Sequence, residues 1–516
     1  MQPEQCQDSM GRNTPTVWAL WLGVFAGGLV LYVATADRGV QWQDSGWQQL
    51  RIVTGVIEHP LGLALTHPLQ YYLGRAAVRV LPVEPAFAIT LVSCLAGAIA
   101  VANLGATILT VTRRIFAAVV AAVAFALSHT FWQHATHTES YAIVAVLLTG
   151  EWLCLARYAT TMRGRFLVIL ALLNGLGVAN HPLAGLATPV DVAIIITAIR
   201  GGRLPGRSVI AAALLWIAGT LPYSILVVAT VLRTGDFAGT LRSALFSNYA
   251  SDVLNVHISL RGLALAAGYA VYNFPGLTIP LALYGVLRRL DVPRVFGRAL
   301  RWELLLYTLF VVRYSITDQY TFFFPVYALL ALFCGIALAR IVSQPPSAPR
   351  RLILGLAALT AVWTPLVYVT AESVLSARHL FASMVGHKPY RDGYRALFVP
   401  WGVGQDAAAR VNEQAYRLAG SNGLILFEDT MVGVALQYPQ AIGKAPSGVT
   451  VMPVEAEAPP EVVARTRALL ESCYATGRPV VLVPRDRDRP VTCVPEARWK
   501  RDGDLYILAE IPVKAH

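Results

Sequence analysis

The sequence predicts an α-helical polytopic membrane protein with a small C-terminal α/β extracytoplasmic domain. Three observations predict it. Of the 516 residues, 56% are hydrophobic and only 14% are charged, against roughly 25% charged in an ordinary globular domain. Mean hydropathy is +0.54, and apolar stretches of bilayer-spanning length recur along the first 374 residues. After that point charge becomes dense, and all four lysines (Lys388, Lys444, Lys500 and Lys514) lie there. So much apolar surface excludes a soluble fold and excludes disorder.

A transmembrane helix needs about 20 mainly apolar residues. About eleven stretches qualify, near 16–36, 85–111, 115–131, 141–157, 166–181, 183–200, 208–232, 262–287, 302–317, 321–341 and 352–374. Every second loop is rich in arginine: Arg113 and Arg114; Arg157, Arg163 and Arg165; Arg200, Arg203 and Arg207; Arg288 to Arg301; Arg340 to Arg351. This positive-inside pattern places the N-terminus in the cytoplasm. The net charge of +12 is therefore mainly a topology signal. Anionic lipid headgroups are a secondary partner and nucleic acid is not expected. The expected organisation is a polytopic domain over 1–374, with a first outer loop at 37–84, and an extracytoplasmic domain over 375–516. In the latter, Gly423 to Phe427, Pro479 to Val483 and Leu505 to Ile511 read as strands, and 404–419 and 460–476 as helices. Cys473 and Cys493 both fall there, where a disulfide is compatible with an oxidising compartment.

The acids and histidines collect in the alternate, outer loops. Asp44 follows the first apolar stretch, in Gln43-Asp44-Ser45-Gly46-Trp47. Ser45-Gly46 is expected to turn the chain there. Asp44 is then either a base at the membrane boundary or the N-cap of the next helix. Next come Glu58-His59-Pro60-Leu61-Gly62 and His67-Pro68, on a segment expected to lie along the outer surface. His134, His137 and Glu139 form a second cluster at the head of the fourth span, with Trp132 and Tyr141. Asn180-His181 and Asp318-Gln319 complete the set at the ends of other spans. Acids at such depth are costly and read as functional by default. No established metal-ligand spacing occurs, and a divalent metal stays open.

At these residues the sequence resembles the multi-spanning proteins related to the protein O-mannosyltransferases, in the GT-C glycosyltransferase superfamily. That family's Asp-Ser-Gly, His-Pro-x-Gly, Phe-Trp…Glu-x-Tyr, Gly-x-x-x-Asn-His and Asp-Gln…Pro-x-Tyr elements are matched here. The matching residues are Asp44 to Gly46, His59 to Gly62, Phe131-Trp132 with Glu139 to Tyr141, Gly177 to His181, and Asp318-Gln319 with Pro325 to Tyr327. The likeness covers roughly 40–330, and Trp47 departs from it where the family often has an acid.

The resemblance implies a GT-C-like fold and an inverting sugar transfer, with mannose as the family's associated sugar. The donor is a polyprenyl-phosphate-linked sugar; the acceptor is a protein, glycan or lipid hydroxyl. Asp44 would be the base, and Glu139 would orient the acceptor or assist a metal. Asp318, Asn180, His59, His134, His137 and His181 would bind substrate, and Arg51, Arg75, Arg79 and Arg313 are candidates for the leaving phosphate. The expected location is the bacterial inner (cytoplasmic) membrane, as part of the cell envelope. Two alternatives remain at this level: a flippase or transporter of lipid-linked sugars, and a non-catalytic envelope scaffold. No internal repeat of the transporter kind is seen.

Overall fold

A computed structural model describes residues 14–288, 291–314, 316–454, 459–490 and 494–512. The Cys473–Cys493 pairing therefore lies outside the described residues, as do Arg289, Ser315 and Lys514.

Among the described residues the apolar stretches named above are mainly helical, and the chain is an integral membrane protein. Among the described residues six helices are long and apolar enough to cross a membrane alone: Pro15–Thr35, Pro85–Thr112, Tyr141–Thr161, Pro182–Arg200, Gly206–Thr234 and Phe324–Val342. Three helix pairs are long and apolar enough only when taken together, with the bend of a broken span or a re-entrant loop. Ile115–Ala126 with His129–Thr136 bends by 68°, Leu260–Asn273 with Thr278–Leu287 by 115°, and Ala348–Val362 with Thr364–Ala377 by 56°. Pro275-Gly276 and Pro365 stand at two of these breaks, where a missing N–H and a restricted preceding residue interrupt a helix. Against the eleven stretches expected, length and composition alone qualify six spans, or up to nine if each bent pair is one, among the described residues. Arg165–Asn180 is short, and Arg294–Arg313 carries Arg294, Arg298, Arg301, Glu303 and Arg313.

Prolines open many of these helices, at Pro68, Pro85, Pro182, Pro325 and Pro365. Pro suits the first turn because its absent N–H would have no partner there. Pro85–Thr112 lies at the centre, packed against the Thr14, Ile115 and Tyr141 helices through buried Ala88, Ala96, Ala98, Ala102 and Ala106. Small side chains allow the close approach that drives helix association in lipid. The Arg165 and Gly206 helices meet backbone to backbone. A Cβ on Gly175 would lie 2.3 Å from the Trp216 carbonyl oxygen, and one on Gly219 would lie 2.7 Å from that of Leu172.

The C-terminal segment forms a five-stranded sheet, Leu424–Phe427 (β1), Thr450–Pro453 (β2), Val480–Val483 (β3), Arg498–Asp502 (β4) and Leu505–Glu510 (β5). The order is β2-β1-β3-β5-β4, parallel across β2-β1-β3 and antiparallel beyond. The sequence pattern foresaw β1, β3 and β5, and missed β2 and β4. Those two are the edges, and β4, Arg-Trp-Lys-Arg-Asp, has the charged composition that blunts an edge against pairing. Helices Ala407–Ala419 and Thr430–Ala441 cover one face.

Gly219→Val is expected to overpack the Arg165–Gly206 helix crossing and destabilise the protein by about 1–3 kcal/mol. A lowered thermal midpoint in detergent is the expected reading, and an unchanged midpoint would show that these backbones do not touch.

Candidate active site

The chain leaves the first span at Thr35 and is tied down at once. Gly402 and Val403 donate to the Thr35 carbonyl at 2.9 and 3.0 Å, and Asp37 N–H donates to the Thr136 carbonyl at 2.9 Å. Gln41 then joins a buried amide and hydroxyl network. Its Nε2 donates to Thr90 Oγ1 (3.1 Å), and its Oε1 accepts from Thr138 N–H (2.9 Å). Gln49 Nε2 donates to Thr138 Oγ1 at 3.2 Å. Polar groups buried this way are held by full pairing. The network fixes the segment after the first span against the Pro85 helix and the 137–140 loop.

The helix Gln43–Thr54 starts here, with Gln43 in the left-handed region at φ 58°. Its N-cap is Trp42, so Asp44 lies in the first turn rather than at the cap. The turn expected at Ser45-Gly46 does not form. Gly46 is inside the helix, because a Cβ there would lie 2.3 Å from the Gln41 carbonyl oxygen and 3.1 Å from Val434 Cγ2. Val434 belongs to the Thr430–Ala441 helix, which packs on the Asp44 helix. Trp42 is itself part of the hydrophobic core of the C-terminal sheet, with Val411, Val432 and Val481. Lys388 and Arg391 lie over its ring at 5.9 and 6.0 Å. Tyr438 adds a hydrogen bond to Glu84 Oε1 at 2.8 Å. The helix carrying Asp44 is therefore held between the membrane helices and the C-terminal segment.

Asp44 lines a cavity of about 220 Å³ with His59, His67, Tyr141, His181 and Asp318. Leu245, Phe246, Val253 and Phe310 make an apolar side to it, and Tyr249 and Tyr314 add hydroxyls. Asp44 is open to the cavity and enclosed by protein on its other sides. That enclosure, and then the charge of Asp318, pushes its carboxyl up to about 6. Glu139 lies behind it, accepting from Ser45 Oγ at 2.8 Å. Burial first, and then Asp44, raises Glu139 to about 8, against the lowering effect of Ser45. Burial raises Asp318 as well. At neutral pH Asp44 is mostly ionised and Glu139 mostly neutral. Like charges in one site separate in this manner.

The histidines are set by their partners. Nδ1 of His59 accepts from Leu61 N–H (3.1 Å), and Nδ1 of His181 accepts from Leu183 N–H (3.0 Å). Each neutral ring must then carry its proton on Nε2. His67 is the reverse, since its Nδ1 donates to the Asn180 carbonyl at 2.9 Å. Its ring stacks on His181 with centroids 5.1 Å apart. Burial lowers His59 to about 3 and His67 to about 4, so both are neutral. No Lys or Arg lines the cavity.

Of the residues singled out in the sequence, Asp44, His59, His181 and Asp318 meet at the cavity wall, with Glu139 one hydrogen bond behind. The others lie elsewhere. Asn180 commits its amide to Gln70 N–H (3.1 Å) and the Ser140 carbonyl (3.3 Å). His134 is buried beside Tyr141, with ring centroids 4.7 Å apart, and His137 donates to the Gln133 carbonyl at 2.9 Å. Three of the four candidate arginines are main-chain clamps. Arg51 donates to the carbonyls of Ile57, Leu65 (3.3 Å) and Thr66 (2.9 Å). Arg75 donates to Ile52 (2.8 Å), and Arg313 to Val253 (2.6 Å) and Asn255. Among the described residues no group of His, Cys, Asp and Glu has metal-binding geometry. Sequence reasoning undervalued His67 and missed Tyr249 and Tyr314. The His67-Pro68 helix start was the available signal for the first.

Trp42→Ala is expected to cost about 3–5 kcal/mol and lower the unfolding midpoint, with Trp42→Phe keeping most of the stability. An unchanged midpoint for Trp42→Ala would contradict the shared core.

Residues 52–201 match the family model described as the protein O-mannosyl-transferase TMEM260 N-terminal domain. No curated protein matches the chain. Among solved structures, ArnT from Cupriavidus metallidurans bound to undecaprenyl phosphate superposes with a TM-score of 0.56 at 12% identity, over 95% of this chain and 97% of ArnT. The apo state of the same protein gives 0.57 at 14% identity with the same coverage. The Saccharomyces cerevisiae Pmt1-Pmt2 complex bound to its sugar donor overlaps more loosely, at 0.33 and 12% identity over 46% of this chain and 35% of that one. The chain has the fold of ArnT, and its 52–201 segment is similar to the protein O-mannosyl-transferase N-terminal domain.

Proposed function

We propose that the chain is an inverting glycosyltransferase that moves a sugar from a polyprenyl-phosphate donor to an acceptor hydroxyl at the extracytoplasmic membrane face. The observation that carries this reading is the Asp44 carboxylate, ionised at neutral pH, on the wall of a cavity with one apolar side. The match to an O-mannosyl-transferase domain supports sugar transfer, and mannose as the sugar. The ArnT neighbour, solved with undecaprenyl phosphate, supports a lipid-linked donor.

In this mechanism the donor's isoprenoid lies along Leu245, Phe246 and Phe310, and its phosphate reaches the polar wall. Asp44 takes the acceptor hydroxyl's proton as the oxygen attacks the anomeric carbon. The bond from that carbon to the phosphate oxygen breaks on the opposite side. Charge developing on the leaving phosphate meets the Nε2–H groups of His59 and His181, neutral donors fixed by Leu61 and Leu183. Preorganised dipoles stabilise such charge in a site of low dielectric. Glu139 enters as a neutral acid and raises Asp44 by its charge only above about pH 8. The arginine-rich alternate loops support an N-terminus in the cytoplasm and this face outside. A bacterial inner membrane is the location that fits, with a protein, glycan or lipid as acceptor.

Membranes containing the protein, incubated with labelled polyprenyl-phosphate sugars, are expected to label an acceptor. Asp44→Asn should lower the rate by about 10²–10⁴-fold, the usual contribution of a positioned base, with the protein still folded. Full activity in that variant excludes Asp44 as the base.

The pH dependence has a defined sign. The base must be ionised, so the rate rises up to about pH 6 and flattens above it. Glu139→Gln should keep most of the activity at neutral pH, because Glu139 is already neutral there. A rate that falls with rising pH through this window would contradict the assignment.

A further inference from the structure

A second group of acids lies inside the membrane, away from the transfer site. Glu151 is on the Tyr141–Thr161 helix, Asp191 on Thr188–Arg200 and Glu303 on Arg294–Arg313. They are 3%, 4% and 1% exposed. Ten residues separate Glu151 from Tyr141, and ten separate Glu303 from Arg313, which is about 15 Å of helix in each case. The same three helices present Tyr141, Phe310 and the Pro182–Leu186 turn to the cavity above. None of the three acids lines that cavity.

The partners of these acids carry no positive charge. Trp152 Nε1 donates to Glu303 Oε2 at 2.6 Å, and Asn174 Nδ2 donates to Glu151 Oε2 at 3.3 Å. Glu151 and Asp191 face each other within hydrogen-bond reach. The other titratable groups beside them are Cys154 and Tyr307. Tyr307 is fully buried, faces all three carboxyls, and its hydroxyl has no partner; Asp191 Oδ2 has none either. Three carboxylates at this depth, unpaired with any cation, would be prohibitively costly. Two ionised carboxylates cannot hydrogen-bond to each other, since each only accepts. A cation must enter the cluster, and its members do not have metal-binding geometry.

We propose that Glu151, Asp191 and Glu303 form an intramembrane proton-binding site, separate from the transfer site, in which bound protons take the place of a counter-cation. The site makes the three helices under the cavity cohere while it is protonated. Loss of the protons would leave unpaired charges among these helices, so raising the pH works against folding.

Infrared spectroscopy of the purified full-length protein in detergent tests this. Wild type should show protonated-carboxyl intensity at neutral pH, and Glu151→Gln, Asp191→Asn and Glu303→Gln should each lose part of it. These variants should keep the wild-type thermal midpoint at neutral pH and lose less of it towards about pH 9. Glu139→Gln serves as the reference for the transfer site's own protonated acid. Loss of no intensity in any folded variant overturns the proposal. Wild type supplies a reading that needs no variant. A midpoint unaffected by Na⁺, Mg²⁺ or Ca²⁺ supports protons as the ligand, and a midpoint raised by one of these ions overturns it in favour of a metal site.

Discussion

An acidic base must be held in a cleft that is neither open water nor closed protein, and the rest of this fold serves that requirement. Asp44 reaches it because one short helix is clamped from two sides. Below, Gln41, Gln49, Thr90 and Thr138 tie it to the membrane helices. Above, Trp42 is buried in the core of the C-terminal sheet and Gly46 touches Val434. A larger residue at Gly46 would push these two bodies apart. The C-terminal segment is thus part of the site's frame, a role that its own sequence does not announce.

The charge state of the cavity follows from the same enclosure. Removing water raises the acids and lowers His59 and His67, so at neutral pH the two histidines and most of Glu139 are uncharged and Asp44 is mostly ionised. The cavity's apolar side suits a long isoprenoid tail, and the Nε2–H groups of His59 and His181 are the donors on offer to a phosphate. The arginines that composition suggested for phosphate hold loops instead. Arg51 gathers the carbonyls of the segment that carries His59 and His67, and Arg313 gathers those beside Val253. Their contribution to chemistry is the shape of the wall.

The membrane helices were legible because a span needs about twenty apolar residues and little else. The acids and the cavity histidines were legible for a related reason. Polar residues such as Asp44, Glu139, His181 and Asp318, at the ends of apolar helices, are too costly to be there by accident. Arginine was not legible, because its long side chain reaches groups that only the tertiary structure brings near, as Ile57 and Thr66 come to Arg51. Edge strands β2 and β4 lack a buried run, so no hydrophobic pattern marked them. Nothing in the sequence singled out Trp42, because its place in a distant core depends on residues nearly 400 positions along the chain, such as Val432.

The central claim is that Asp44 acts as the single base of a direct displacement. The most direct test is the anomeric configuration of the transferred sugar, read by NMR on product made with a donor of defined linkage. The account predicts inversion, so a β-linked donor yields an α-linked product. Retention of configuration would require two successive displacements and a covalent intermediate on the enzyme, and would contradict it.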